Sequence, residues 1–260
     1  MRRGALIAYL LVMCLLAVCS RAPVAHASAR VEALVGPDGV AVKIVLSNVT
    51  ASLYELMKSH PEAFNETTVP RAMVKYVEAM KFGEAHYSRT DIEFDDATRT
   101  VVLSFTLAGD GVLSFHYNKT TMARIYKLNA AWRKADVSVK SDNKVLLKLN
   151  FSSYFGAPLE KWELVDYDLG GGDVRKALYM NSTAEDRLDP VWYFILPKDA
   201  KFLEAKGDTL TFESPPRPTD LFMASPFWPF LIVVAVTGLA VIYRKASVRL
   251  VAPGGGGRGA

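Results

Sequence analysis

Twenty-three consecutive residues of this chain, Leu221 to Tyr243, carry no charge. As a helix rising 1.5 Å per residue they would extend about 34 Å, more than the hydrocarbon core of a bilayer at about 30 Å. Phe230, Leu231, Ile232, Val233, Val234, Val236, Leu239, Val241 and Ile242 make the run apolar on every side. Trp228 and Tyr243 bracket it, and Arg244 and Lys245 follow, the pattern of aromatic belts and a positive cytoplasmic flank. Pro226 and Pro229 suit a first helical turn, where a missing N–H is harmless. The sequence therefore predicts a transmembrane helix over 226–243, with Trp228, Tyr243, Arg244 and Lys245 as interface anchors and membrane lipid as a partner. Gly238 has Val234 and Ile242 at its ±4 positions, so no stripe of small residues supports helix pairing.

The other end is built for export. Arg2 and Arg3 precede the uncharged run Ala5 to Val18, and Ala25-His26-Ala27 puts small residues at the −3 and −1 positions of a cleavage site. A signal peptide over 1–27 is expected, which removes Cys14 and Cys19, the two cysteines of the chain. That excludes a disulfide scaffold, a thiolate zinc site and a cysteine nucleophile.

Charge follows the same division. All 27 acidic residues lie between Glu32 and Asp220, whereas Arg2, Arg3, Arg21, Arg244, Lys245, Arg249 and Arg258 lie in the ends. The segment 28–220 thus holds 24 of the 31 basic residues and a net charge of −3, which argues against nucleic acid as a partner. Five of the seven asparagines (Asn48, Asn65, Asn118, Asn150 and Asn181) head N-x-S/T sequons, the pattern of a glycosylated, translocated segment. There is no glutamine at all, and depletion of amides and thiols is a hyperthermophile trait. Together with glycan acceptors it points to a heat-loving archaeon.

Alternation and turn residues organise 28–212. Val31–Val35 and Val40–Leu46 flank Gly36-Pro37-Asp38-Gly39 as a hairpin, and 91–94 pairs with 100–107 around Asp95-Asp96-Ala97-Thr98. Thr50–His60 and Val69–Phe82 read as helices, the second with Met73, Val74, Val77 and Met80 at helical spacing. Further strands are expected at 112–117, 124–128, 136–140, 145–149, 162–167, 177–180, 191–196 and 209–212. The expected fold is α+β: a predominantly antiparallel β ectodomain over 28–212, with a two-helix insertion near its N-terminal end, plus one C-terminal transmembrane helix. The Pro-rich stretch 213–225 reads as a stalk and 244–260 as a Gly-rich basic cytoplasmic tail. A faint echo between Lys43–Thr50 and Lys148–Ser152 raises the alternative of two similar halves, 28–118 and 119–212.

Chemistry is sparse. His60, His86 and His116 are not at metal-ligand spacing, and neither an H-E-x-x-H nor a G-x-S-x-G motif occurs. No catalytic residue is assigned. Asp166, Asp168 and Asp173 surround a glycine loop like the start of a calcium site, although Gly170 and Ala177 stand where further ligands belong; calcium is the one cofactor the pattern admits. Trp132, Trp162 and Trp192 are the candidate stacking platforms for a ligand. The layout resembles that of surface-anchored archaeal envelope proteins in general, an architecture that carries no site residues. The function expected is that of a single-pass type I protein of the plasma membrane. Its glycosylated ectodomain would act outside the cell by contact with other envelope proteins, as an adhesion or accessory module. A tethered receptor for a solute or sugar is the alternative, and an extracellular hydrolase the third reading.

Overall fold

The computed structural model describes residues 28–141, 144–182, 190–217 and 228–251. The expected signal peptide, most of the stalk and the end of the tail lie outside them.

Among the described residues, thirteen strands form three sheets. β1 (Ser28–Val35) and β2 (Val40–Ser47) form the first hairpin. Its turn closes with the Gly36 N–H donated to the Gly39 carbonyl at 2.8 Å. Gly39 is required there, because a Cβ on it would lie 2.5 Å from the Leu107 carbonyl. β3 (His86–Asp95) and β4 (Thr100–Ala108) follow, and β9 (Glu163–Asp168), β10 (Val174–Asn181) and β11 (Val191–Ile195) complete a seven-stranded sheet in the order β3-β4-β2-β1-β11-β10-β9. Every junction is antiparallel except β1–β11, which is parallel with Arg30 opposite Val191. β5 (Leu113–Tyr117), β6 (Arg124–Asn129), β12 (Lys201–Lys206) and β13 (Thr209–Ser214) form a second sheet, ordered β12-β13-β6-β5. β7 (Val137–Ser141) and β8 (Lys144–Leu149) pair on their own.

Strand alternation gives the seven-stranded sheet one apolar face. Val31, Ala33, Val42, Ile44, Leu103, Phe105, Trp192 and Phe194 point to the core, where they meet Leu128, Leu210 and Phe212 of the second sheet. Helices α1 (Ala51–Ser59) and α2 (Thr68–Ala79) add Tyr54, Met57, Val69, Met73 and Val77 to the same core, and the short α3 (Phe151–Phe155) adds Phe151 and Phe155.

The expected fold class needs correcting on three points. The described chain is mostly β-sheet with four helices, not the expected α+β ectodomain. The expected two-helix insertion is not found as a unit of its own, because the apolar faces of α1 and α2 are part of the single main core. Among the described residues, moreover, no helix is long and apolar enough to cross a membrane. The last described helix, α4 (Trp228–Val251), takes in Arg244, Lys245 and Arg249 after its uncharged residues. Its uncharged part, 228–243, extends only about 24 Å, short of about 30 Å. The described side chains from Phe230 to Tyr243 are exposed, as is Arg244; those of Trp228 and Lys245 lie outside the described residues.

Candidate functional site

Among the described residues, no helix contributes to the groove on the face of the seven-stranded sheet that points away from the core. Arg30, Glu32 and Leu34 of β1, Ala41 and Lys43 of β2, Ser104 and Thr106 of β4 and Tyr193 and Ile195 of β11 share this face by alternation. Toward β3 this face sinks into a groove with two connected chambers, of volume ≈ 470 and ≈ 360 Å³, which share Leu34, Ala41, Arg89 and Thr106. Leu169, from the glycine turn after β9, and Arg175 of β10 form the opposite wall. The floor is made of small side chains, which leaves room above it.

Arg89 is set by the backbone. Between Ser88↔Thr106 and Asp91↔Ser104 the β3–β4 register slips, so β3 carries a bulge. Arg89 sits in it at φ 53, a left-handed conformation that costs a non-glycine residue about 1 kcal/mol. The bulge places Arg89 against both chambers of the groove. Among the described residues neither Arg89 nor Lys43 has an ion-pair partner, whereas Arg175 is held by Asp173 at 2.7 Å. That hydrogen bond keeps the Asp173 carboxyl below the usual carboxylate range.

Toward β9 the same face is closed by its own side chains. The Tyr167 hydroxyl donates to Glu32 Oε1 at 2.8 Å and accepts from Arg30, which also pairs with Glu32 at 2.7 Å. The Arg30 guanidinium lies 5.5 Å from the Tyr193 ring, and Tyr179 packs on Tyr193 at 5.0 Å. Burial, then the bond to Glu32, pushes the Tyr167 phenol above its usual pKa.

On the core side a second cationic centre was not legible in the sequence. Arg133 is completely buried. It donates to three backbone carbonyls, those of Phe155, Ala130 and Ala157, at 3.0, 2.9 and 2.8 Å, and lies 5.5 Å from the Trp162 ring. Asp208 Oδ1 is 2.8 Å from Arg133 Nη1 and 2.7 Å from Lys134 Nζ, while Oδ2 accepts from Lys134. Burial pushes the Asp208 carboxyl up, but Lys134 and Arg133 outweigh it and its pKa ends below the usual value.

The residues singled out in the sequence are placed elsewhere. Trp132 and Trp192 are fully buried and Trp162 nearly so, packed with Phe155 and Phe194, so none offers a ring face to a ligand. The indole N–H groups of Trp132 and Trp192 are buried with no oxygen acceptor, surrounded by rings. Asp166 pairs with Lys176, Asp168 accepts from the Gly170 N–H and Asp173 faces Arg175, so the three carboxylates turn to separate partners. Gly170, Gly171 and Gly172 all have positive φ, the backbone of a tight glycine turn. No group of three or more His, Cys, Asp or Glu side chains able to hold a metal occurs among the described residues. Asn48 and Asn181 are exposed, while Asn65, Asn118 and Asn150 are half-buried. The Asn65 and Asn118 carboxamide oxygens accept from the N–H two residues on, at 3.0 and 2.9 Å, so these two sequons are also Asx turns. His60 bonds within its own helix end, and His86 and His116 stand on strands of different sheets.

Compared with protein-family models, with curated proteins and with solved structures, the chain matches none.

Proposed function

We propose that this protein is an interaction module of the outer cell surface, and that its groove receives an extended acidic segment of another envelope protein. Arg89 carries the reading. A long cation held in a left-handed bulge, lining both chambers and without a carboxylate partner among the described residues, is backbone geometry that costs stability. Lys43 adds a second cation on the floor, also without an ion-pair partner among the described residues, and the small side chains of Ala41, Ser104 and Thr106 leave height for a peptide backbone. A surface location rests on the export-type N-terminal segment and the exposed sequons at Asn48 and Asn181. The tryptophans on which a sugar receptor would depend are buried, so the contact reading is preferred.

An oligoglutamate peptide tests it. Saturable binding to the full chain is expected, weakening with added salt and falling about tenfold or more in the double variant Arg89→Ala, Lys43→Ala. Equal binding by that variant, or by oligolysine, would remove the proposal. Protease added to intact cells should cut the body without lysis; protection until lysis would refute the location.

A further inference from the structure

Sheet edges invite pairing with other chains, and proteins guard them with charges, bulges or proline. The edges here are unequal. β3 has its bulge and Arg89, Asp91, Glu93 and Asp95; β9 has Glu163, Asp166 and Asp168; β12 has a bulge and Lys201, Glu204 and Lys206. β7 and β8 carry Lys140, Lys144 and Lys148. β5, Leu113-Ser-Phe-His-Tyr117, has no Asp, Glu, Lys, Arg or Pro and a regular register with β6. It also exposes two large aromatics, Phe115 at 48% and Tyr117 at 42%.

Phe115 is the last rung of an aromatic ladder. Phe202 stands opposite Phe212, Phe212 opposite Tyr126 and Tyr126 opposite Phe115, one residue from each strand of the sheet. Phe212 and Tyr126 stack at 5.2 Å, and Tyr126 and Phe115 lie 5.6 Å apart. The Arg124 guanidinium lies 5.0 Å from the Phe115 ring centre. The backbone continues the pattern. The Asn118 N–H donates to the Ala123 carbonyl and the Asn129 N–H to that of Val112. Antiparallel alternation therefore directs Ser114 and His116 toward β6 and Phe115 away from it. The Leu113 N–H is donated to the Gly109 carbonyl at 2.9 Å, so the open side presents the Leu113 carbonyl and both groups of Phe115.

We propose that β5 is a dimerisation edge: a second copy of this chain adds its own β5 antiparallel, centred on Phe115, joining two four-stranded sheets into one. The strand is self-complementary in the way a two-fold interface demands. With Phe115 on the axis, its outward N–H and C=O meet those of its own copy, and Leu113 faces Tyr117 of the second copy. The aromatic ladder then runs unbroken from one Phe202 to the other, and no like charges oppose each other, since the strand carries none. A five-residue strand is short for an obligate interface, so the association is reversible and weak. This inference is independent of the groove, on the other sheet.

Cysteine cross-linking and sedimentation of the full chain in mild detergent test it, in a Cys14→Ser, Cys19→Ser background. Phe115→Cys should oxidise to a covalent dimer, because facing Cα atoms of such a pair are about 5.5 Å apart, within disulfide reach. Ser114→Cys and His116→Cys, which face each other's positions rather than their own, should cross-link about tenfold more slowly. Phe115→Lys should weaken the dimer at least about tenfold while keeping its thermal unfolding transition. Equal cross-linking at all three positions, a monomeric parent chain, or a dimer indifferent to Phe115→Lys would each overturn the proposal.

Discussion

Arg133 and Arg89 are the same side chain on opposite sides of one sheet, and their surroundings differ in every respect. Arg133 is wholly buried, satisfied by three carbonyls and Asp208, and sits on a short 3-10 turn, 131–134. Arg89 is exposed, strained in its backbone and without a carboxylate among the described residues. A charge that the fold satisfies completely serves the fold. A charge that the fold strains to hold, and leaves unsatisfied, is available to something else.

The contrast breaks first at the buried site. Arg133→Met removes the donor to three buried carbonyls and strands Asp208, so urea unfolding should show a loss of about 3–5 kcal/mol. Recovery of parental stability would mean that the carbonyls find other donors and that the centre is not structural. Next comes its pH dependence. The Asp208 carboxyl has a folded pKa below its unfolded value, so its contribution is complete above about pH 4 and is lost as the pH falls through the folded value. Thermal midpoints of the parent chain should therefore drop on acidification below that point, more steeply than those of Asp208→Asn, which starts lower at neutral pH. Parallel curves would exclude Asp208 as the titrating group. The smallest effect sharpens the comparison most. Arg89→Gly relieves the left-handed strain and should leave stability within about 1 kcal/mol of the parent, on the stabilising side. The same variant should lose oligoglutamate binding. A variant both destabilised and fully binding would make Arg89 a second structural arginine.

Local chemistry made parts of this molecule readable. Gly36-Pro37-Asp38-Gly39 between alternating valines and isoleucine could only be a hairpin, and Met73, Val74 and Val77 marked the buried stripe of α2. Alternation tells which residues share a face, but not which strand lies next, so the parallel β1–β11 junction left no trace in the sequence. β12 was missed because Lys201-Phe-Leu-Glu-Ala-Lys206 consists largely of good helix formers, overridden by pairing with β13. The candidate site was hidden for a related reason. Nothing in Ser88-Arg-Thr90 announces the register slip that sets Arg89 beside the groove, and nothing in Trp132-Arg133-Lys134 announces that α3 and Asp208 enclose the guanidinium. The tryptophans had the residue type of a sugar platform and the burial of a core, which only the packing could decide.

The parallel junction also governs when the chain can settle. Arg30 finds Val191 only after 160 intervening residues have emerged, so the seven-stranded sheet cannot zip up while its first strand leaves the ribosome. Until then β1 can pair with β2 alone, and its other edge waits for β11. A sheet closed by β11, the third described strand from the end, is completed only when most of the chain has been made.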